Sequence, residues 1–360
     1  MSFFLALLGF AGLIVLHELG HFPAAKAVGM RVERLSLFFP PLIAKVRRGE
    51  TEYAIGALPL GGYVKITGMN PAEEIPAEVA HRAYYRQPVW KRVVVIAAGP
   101  LVNVIVAFLL FLVFFTAQGP AVGVNSTVDA VNAGSPATGV LRDGDRLVAV
   151  DGKRGDAERL RAQIATHNCE GGQTGGCPAA TAAALTVLRA GREKTLRVTP
   201  KYDAELKRAI IGFSFTPVYE PEGLLEASGS SVDGMWRVTT LTVDRITALF
   251  YDAQARREVS GIVGSYETSR QFIKTSSFET VMSVFALISL SLAIINLFPF
   301  LPLDGGHIFW AVAEKLRGKA ISFRVMERAS LVGFMLVLVL FAIGLSNDVG
   351  RLEGDGFGIR

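Results

Sequence analysis

The sequence predicts a polytopic α-helical membrane protein with about four transmembrane helices, a membrane-associated β region and an extracytoplasmic β-rich domain. Three features support this fold class. Of the 360 residues, 51% are hydrophobic, and they concentrate in four runs. Basic residues cluster in two of the intervening loops. Turn-rich sequence of alternating polarity fills the region between the second and third runs. The four apolar runs are residues 2–16, 93–117, 281–301 and 329–345.

A helix needs about 20 apolar residues to cross the hydrocarbon core of a bilayer. The second and third runs reach this length, and the fourth is near the lower limit. The first run is short, but helical residues through about Val28 would extend it. We expect it to be retained rather than removed as a signal peptide, because no Lys or Arg precedes it and it leads directly into the polar motif HELGH.

The basic residues define the expected orientation. Lys and Arg cluster between the first and second runs, and again between the third and fourth. The positive-inside rule assigns both loops to the cytosol, which leaves the N-terminus, residues 118–278 and the C-terminus outside. Basic residues beside a membrane also account for the net charge of +5. We therefore expect the lipid bilayer, and no nucleic acid, as a partner.

We expect four regions along the chain. Residues 1–117 contain the first two transmembrane helices and the β region between them. Residues 118–203 form the extracytoplasmic domain. Residues 204–278 form a linker with an amphipathic helix over 236–257, which either packs on that domain or lies at the membrane surface. Residues 279–360 contain the last two transmembrane helices.

Two stretches indicate strands. Residues 31–66 alternate polar and apolar side chains around the turn at Gly49, which is typical of a half-buried sheet. In the outer domain, AGSPATGVLRDGDRLVAVDGK at 133–153 indicates a turn, a short helix over 137–140 and a strand over 146–150. This second pattern resembles a PDZ domain. The resemblance implies a groove that binds an extended peptide by strand addition; the alternative is a β-rich spacer without a ligand.

The chain has two cysteines, Cys169 and Cys177, in the loop NCEGGQTGGCP. Both fall on the side of the membrane that is expected to be extracytoplasmic. Disulfides persist in such oxidising compartments. We therefore favour a disulfide between them over two free thiols.

The HELGH motif is the clearest chemical signal in the sequence. His17 and His21 are four residues apart, so on a helix they share one face and can bind one Zn²⁺. Glu18 projects beside them, where a carboxylate can act as a general base. Three ionisable groups in an apolar helix are costly without a function, which favours a metal site over a buried polar cluster.

A catalytic zinc site normally takes three protein ligands, so a third ligand must come from elsewhere. The third apolar run breaks at Pro299, and Asp304 follows in LPLDGGH. An acidic residue where a membrane helix unwinds needs a partner from protein or metal. We favour Asp304 as the third ligand, with His307 as the competitor.

Taken together, these motifs resemble the site-2 protease family of intramembrane zinc metalloproteases. They match most closely the bacterial branch with an extracytoplasmic PDZ insert, although this chain has room for one PDZ domain where the best-studied members have two. The matching stretches are HELGHFPAAK at 17–26, GGYVKITGM at 61–69, AGPLVNVIVAF at 98–108, the PDZ-like insert and INLFPFLPLDGGH at 295–307.

The resemblance implies a protease of the bacterial inner membrane, with its active site in the bilayer near the cytosolic side. It implies His17, His21 and Asp304 as zinc ligands and Glu18 as the catalytic base. Substrates would be single-pass transmembrane proteins already trimmed by another protease, such as anti-sigma factors, or remnant signal peptides. For Asn103, a structural bond to a neighbouring helix is the alternative to a functional role. The implied substrate-binding residues are Asn296, Gly99, Asn103, Gly62 and Tyr63.

Two other functions are compatible with parts of the sequence. A membrane-tethered PDZ receptor would bind peptide ends outside the cell without catalysis, but it would need neither HELGH nor the LDG motif. A zinc transporter would need two access routes, and transport sites seldom include an adjacent general base. Intramembrane proteolysis uses all the motifs, so we favour it.

Overall fold

The computed structural model describes residues 2–58, 61–69, 73–259, 264, 278–301, 303–319 and 321–353. These residues divide into two compact units. The first unit contains the described residues up to Ala117 and from Gly223 onward, and the second contains Gln118–Glu222.

Helices dominate the first unit. In chain order, the described α-helices of the whole chain are α1 (Ser2–Ala27), α2 (Val89–Ala117), α3 (Ala157–Ala165), α4 (Leu224–Tyr251), α5 (Ala253–Glu258), α6 (Phe278–Asn296), α7 (Asp304–Arg317) and α8 (Phe323–Glu353). Four contain segments long and apolar enough to cross a membrane, which confirms the predicted number of candidate spans. These segments are Leu8–Ala27, Val89–Ala117, Phe278–Asn296 and Arg324–Arg351.

The predicted β region forms a sheet that follows α1. Its strands are β1 (Val32–Leu37), β2 (Phe39–Arg48), β3 (Thr51–Leu58) and β4 (Tyr63–Ile66), in the order β2-β3-β1-β4. β1 and β3 are parallel, and the other pairs are antiparallel. Buried side chains from β1, β4, α1 and α2 form one apolar core, so this sheet is fixed against the helices that carry the site.

α2 is the central helix of the first unit, because α1, α4, α6 and α7 all pack against it. α1 approaches it closely at Gly20, where a Cβ atom would lie 2.5 Å from the Ala98 carbonyl oxygen. Small residues let membrane helices approach this closely. Pro100 lies inside α2 and lacks the N–H for one intrahelical hydrogen bond.

α4 differs in extent from the predicted amphipathic helix. It begins at Leu224, so the polar stretch before Trp236 is helical too. Ala227 and Ser231 in that stretch are buried. The helix packs on α2 and α6 and so belongs to the first unit. Residues 260–263 and 265–277 of the expected linker lie outside the described residues.

The second unit is a sheet covered by α3. Its strands are β5 (Ala121–Val131), β6 (Arg146–Val150), β7 (Lys153–Arg154), β8 (Ala183–Arg189), β9 (Arg192–Val198), the small pair β10 (Lys201–Asp203) and β11 (Arg208–Ile210), and β12 (Phe213–Tyr219). The main order is β12-β5-β6-β8-β9, and β7 pairs with β6. Instead of the short helix expected over 137–140, the structure has turns, and Gly139 has a φ of 76°, which no α-helix accommodates. Cys169 and Cys177 form a disulfide.

The second unit continues beyond residue 203, where the sequence predicted its end. β12 pairs antiparallel with β5, although the two strands are far apart in sequence. Phe215 of β12 is buried in the same core as Val128 of β5. Residues 204–222 are therefore part of this unit rather than of a linker.

A buried ion pair joins the end of β8 to the residue that precedes β6. Arg189 donates through Nε and Nη2 to the two carboxylate oxygens of Asp145, at 2.7 and 2.6 Å. Asp145 is 2% exposed and also accepts the backbone N–H of Arg142. The guanidinium of Arg189 holds the pKa of the Asp145 carboxyl below its usual value.

We expect Arg189→Met to lower the free energy of unfolding of the second unit by about 3–5 kcal/mol, because it leaves a buried carboxylate without its partner. The measurement is amide hydrogen exchange of peptides from residues 118–222 in the purified full chain. The control is Arg154→Met, since the Arg154–Glu193 pair is 69% and 51% exposed and exposed pairs contribute at most about 1 kcal/mol. Equal losses in the two variants would contradict the assignment.

The same pair gives a pH dependence. Because the pKa of Asp145 is lowered in the folded state, its stabilising effect is complete above the ordinary aspartate pKa and is lost as the pH falls through the lowered value. The wild-type unit should lose stability in that range, and the Arg189→Met variant should lack this loss.

Candidate metal centre

Three donor atoms converge in the first unit. His17 and His21 lie one turn apart on α1, and their Nε2 atoms are 3.3 Å from each other. Asp304, the first residue of α7, places Oδ2 3.0 Å from His17 Nε2 and 3.4 Å from His21 Nε2. Both histidines are buried. Among the described residues, these three form the one group of His, Cys, Asp and Glu with metal-binding geometry.

The spacing of these atoms fits zinc. Ligands of a tetrahedral zinc ion at about 2.0–2.1 Å lie about 3.3–3.4 Å from one another, close to the three observed separations. Two imidazole nitrogens and a carboxylate oxygen, the donor types that zinc prefers, lie together in this group. A bound cation would satisfy all three, so the residues fit the metal.

His21 is oriented by a second hydrogen bond. Its Nδ1 lies 2.8 Å from the backbone oxygen of Val95 on α2, so Nδ1–H donates to the carbonyl and Nε2 keeps its lone pair for a metal. Such outer partners fix the tautomer and the ring of a histidine ligand. The Nδ1 atom of His17 is buried with no hydrogen-bond partner within the described ranges.

Gly99 brings α2 against both imidazoles. A Cβ atom at Gly99 would clash with Nε2 of His21 and lie 3.0 Å from Cε1 of His17. The sequence assigned Gly99 to substrate binding, whereas the structure has it packed directly against the rings of the two histidine ligands. The absence of a side chain here leaves room for the rings.

The segment between α6 and α7 presents Asp304 to the histidines. α6 ends at Asn296, and α7 begins at Asp304. A Cβ atom at Gly305 would clash with the Leu297 carbonyl oxygen, and one at Gly306 would lie 2.5 Å from the Leu301 nitrogen. The two glycines therefore let α7 start against this turn. The positive end of the helix dipole favours the Asp304 carboxylate.

Glu18 lies beside β4. A Cβ atom at Gly62 would be 3.6 Å from Cγ of Glu18, so the start of β4 lines the same space as the candidate base. Tyr63 accepts a hydrogen bond from Arg34 at 3.1 Å and stacks on Phe39. β4 is an edge strand of its four-stranded sheet as described.

The two asparagines differ in environment. Asn103 is fully buried, and its backbone oxygen accepts the hydroxyl of Ser289 at 2.8 Å. Its side-chain nitrogen and oxygen have no partner in the part of the chain that the structure describes. Asn296 is half-buried at the end of α6. His307, the competing third ligand, is not part of the triangle.

Sequence reasoning did not identify three supporting features of the site. These are the Val95 carbonyl, the close contact at Gly20 and an ion pair between Arg92 of α2 and Glu314 of α7. The available signal was one charged residue on each of the two helices. Nothing in the sequence indicates that two residues so far apart form a pair.

The site combines an HExxH motif on an apolar helix with a carboxylate that follows a break in another apolar run. This combination is typical of a membrane-embedded zinc hydrolase. The chain belongs to peptidase family M50, the site-2 protease family, whose profile matches residues 5–340.

Relatives of similar length support this membership, and each is named "putative zinc metalloprotease". The relative in Rhizobium meliloti (strain 1021) is 31% identical over 95% of this chain and 94% of its own. The relative in Clostridium acetobutylicum is 28% identical over 97% of this chain and 98% of its own. The relative in Nostoc sp. is 31% identical over 94% and 93%. The protein is thus a zinc metalloprotease, which decides against the receptor and transporter alternatives.

We expect Gly99→Ala to abolish zinc binding, because the added methyl group overlaps His21 Nε2 and the α2 backbone beside it is already packed against α1 at Gly20. The measurement is zinc content of the purified protein by atomic emission. Gly12→Ala on α1 is the matched control, since a Cβ atom there meets nothing within 4 Å. Full zinc content in Gly99→Ala would show that the helices are less tightly fixed than the structure indicates.

Proposed function

We propose that this zinc metalloprotease cleaves the transmembrane segments of single-pass membrane proteins that another protease has already trimmed. Anti-sigma factors and remnant signal peptides are the substrate classes in view. The observation that carries the proposal is that His17, Glu18 and His21 lie inside Leu8–Ala27, a segment apolar enough to span the bilayer. Peptide bonds at that depth belong to other membrane helices.

The proposed roles follow from the contacts of each side chain. His17, His21 and Asp304 hold the metal through the three converging atoms. A zinc ion held there would supply Lewis acidity to a peptide carbonyl and to water. Glu18 lies on α1 beside His17 and near the start of β4. It accepts a proton from the attacking water and returns it to the leaving amine.

The substrate helix has to unwind before cleavage, because a helix engages its own peptide groups. An extended segment can pair with β4, an edge strand of the sheet as described, because Gly62, which directly precedes β4, adjoins Glu18. Asn296 and Asn103 are proposed to bond the unwound backbone. The side-chain amide of Asn103, which has no partner among the described residues, supports this role, because a buried amide without a partner is costly.

We also propose that the protein lies in the bacterial inner membrane with residues 118–222 outside. The Cys169–Cys177 disulfide supports this orientation, since such bonds are rare in the cytosol. The second unit would then act as a PDZ-like domain. Its edge strand β12 lies next to α3 through the contact of Arg161 with Phe215, and this pairing suits an extended peptide ligand.

Glu18→Gln should keep zinc and lose activity by about 10²–10⁴-fold, because the amide retains the shape of the side chain but accepts no proton. The measurements are zinc content and the rate of cleavage of a model transmembrane substrate in detergent. His17→Ala is the control, which should lose both zinc and activity. Cleavage at the normal rate by Glu18→Gln would refute the assignment of the base.

The orientation gives a separate test with a membrane-impermeant maleimide on intact spheroplasts. After reduction, Cys169 and Cys177 should be labelled, because their loop is expected outside. In a variant with both replaced by Ser, a cysteine introduced as Arg48→Cys should be labelled only after the membrane is opened. Labelling in the opposite order would reverse the proposed topology.

A further inference from the structure

The first observation is an ion pair that joins α2 to the helix that begins with Asp304. Arg92 donates from Nη1 and Nη2 to the two oxygens of Glu314, at 3.0 and 2.8 Å. The Arg92 side chain is 8% exposed and that of Glu314 29%. Paired parallel hydrogen bonds of this kind fix relative orientation as well as distance.

The second observation is that α2 already holds the other two candidate ligands. His21 is bonded to the Val95 carbonyl, and both imidazoles pack on Gly99. Arg92, Val95 and Gly99 are three to four residues apart and are buried along one side of α2. One stripe of one helix thus contacts α1 through the histidines and α7 through Glu314.

The third observation concerns how α7 could move. Glu314 is ten residues after Asp304, about 15 Å along the helix. A helix is stiff along its axis, so sliding or rotation at Glu314 reaches Asp304 undiminished. Gly305 and Gly306 place the start of α7 against the backbone of the preceding turn. Because glycine has no side chain, these two residues form no side-chain contacts that would prevent α7 from rotating.

From these three observations we propose that Arg92 and Glu314 are positioning residues for the metal centre. The pair sets the axial position and rotation of α7, and thereby the approach of the Asp304 carboxylate to His17 and His21. Neither residue belongs to the group of three donor atoms. The inference rests on the proposed ligand set.

The test measures zinc affinity by competition with a chromophoric chelator on the purified full chain. Arg92→Gln and Glu314→Gln should each weaken zinc binding by about tenfold, the size of effect seen when outer partners of ligands are lost. The charge-reversed double variant, Arg92→Glu with Glu314→Arg, should recover most of the affinity. In cleavage assays the single variants should lower kcat more than they change KM.

The matched control is a second bidentate pair in the same unit. Arg82 donates to Glu50 at 2.6 and 2.8 Å, but neither residue lies on α7. Arg82→Gln should leave zinc affinity unchanged. If Arg82→Gln weakens zinc binding as much as Arg92→Gln does, the effect is general destabilisation and the proposal is overturned.

Other outcomes separate this proposal from the ligand assignment. Unchanged zinc affinity in Arg92→Gln and Glu314→Gln, with zinc lost in His17→Ala, overturns the positioning role alone. Zinc retained in His17→Ala refutes the ligand set itself. The Co²⁺-substituted protein adds a spectroscopic check, because a displaced Asp304 carboxylate changes the visible absorption band while a distant structural defect does not.

Discussion

The site depends on how closely α1 and α2 approach each other. At Gly20 and Gly99 nothing but hydrogen separates the two backbones, or a backbone from an imidazole ring. This proximity puts His21 within hydrogen-bonding distance of a main-chain carbonyl and turns both rings toward Asp304. A methyl group at either glycine would separate the helices, and the triangle of donor atoms would open with them.

Burial of polar groups in an apolar unit imposes a second constraint. Several charged or polar groups near the site have a specific partner: Nδ1 of His21 contacts the Val95 carbonyl, Arg92 pairs with Glu314, and Asp304 lies against the histidines at the start of α7. The break between α6 and α7 provides the last of these, because an uninterrupted helix would have no free amino-terminal end at that depth. The break in the apolar run therefore allows the Asp304 carboxylate to be present at that depth.

The features that the sequence predicted are those encoded locally. The four-residue spacing in HELGH places two rings on one helix face whatever the rest of the chain does, and Pro299 signals the break before Asp304. Features that depend on residues distant in sequence were not predictable. β12 pairs with β5 across the entire second unit, and Arg92 finds Glu314 from the far end of the chain. The start of α4 was missed because its first turns are rich in Gly and Ser, which have low helix propensity.

The edge position of β4 beside Glu18 has a consequence for selectivity. Pairing with a strand edge engages only main-chain atoms, so on the proposed mechanism this step is blind to side-chain identity. Selectivity between substrates would then depend on the free energy needed to unwind each substrate helix. Transmembrane segments that contain glycine or proline would be preferred over uniformly leucine-rich ones. Such a protease would select its substrates by how readily their helices unwind rather than by a consensus sequence.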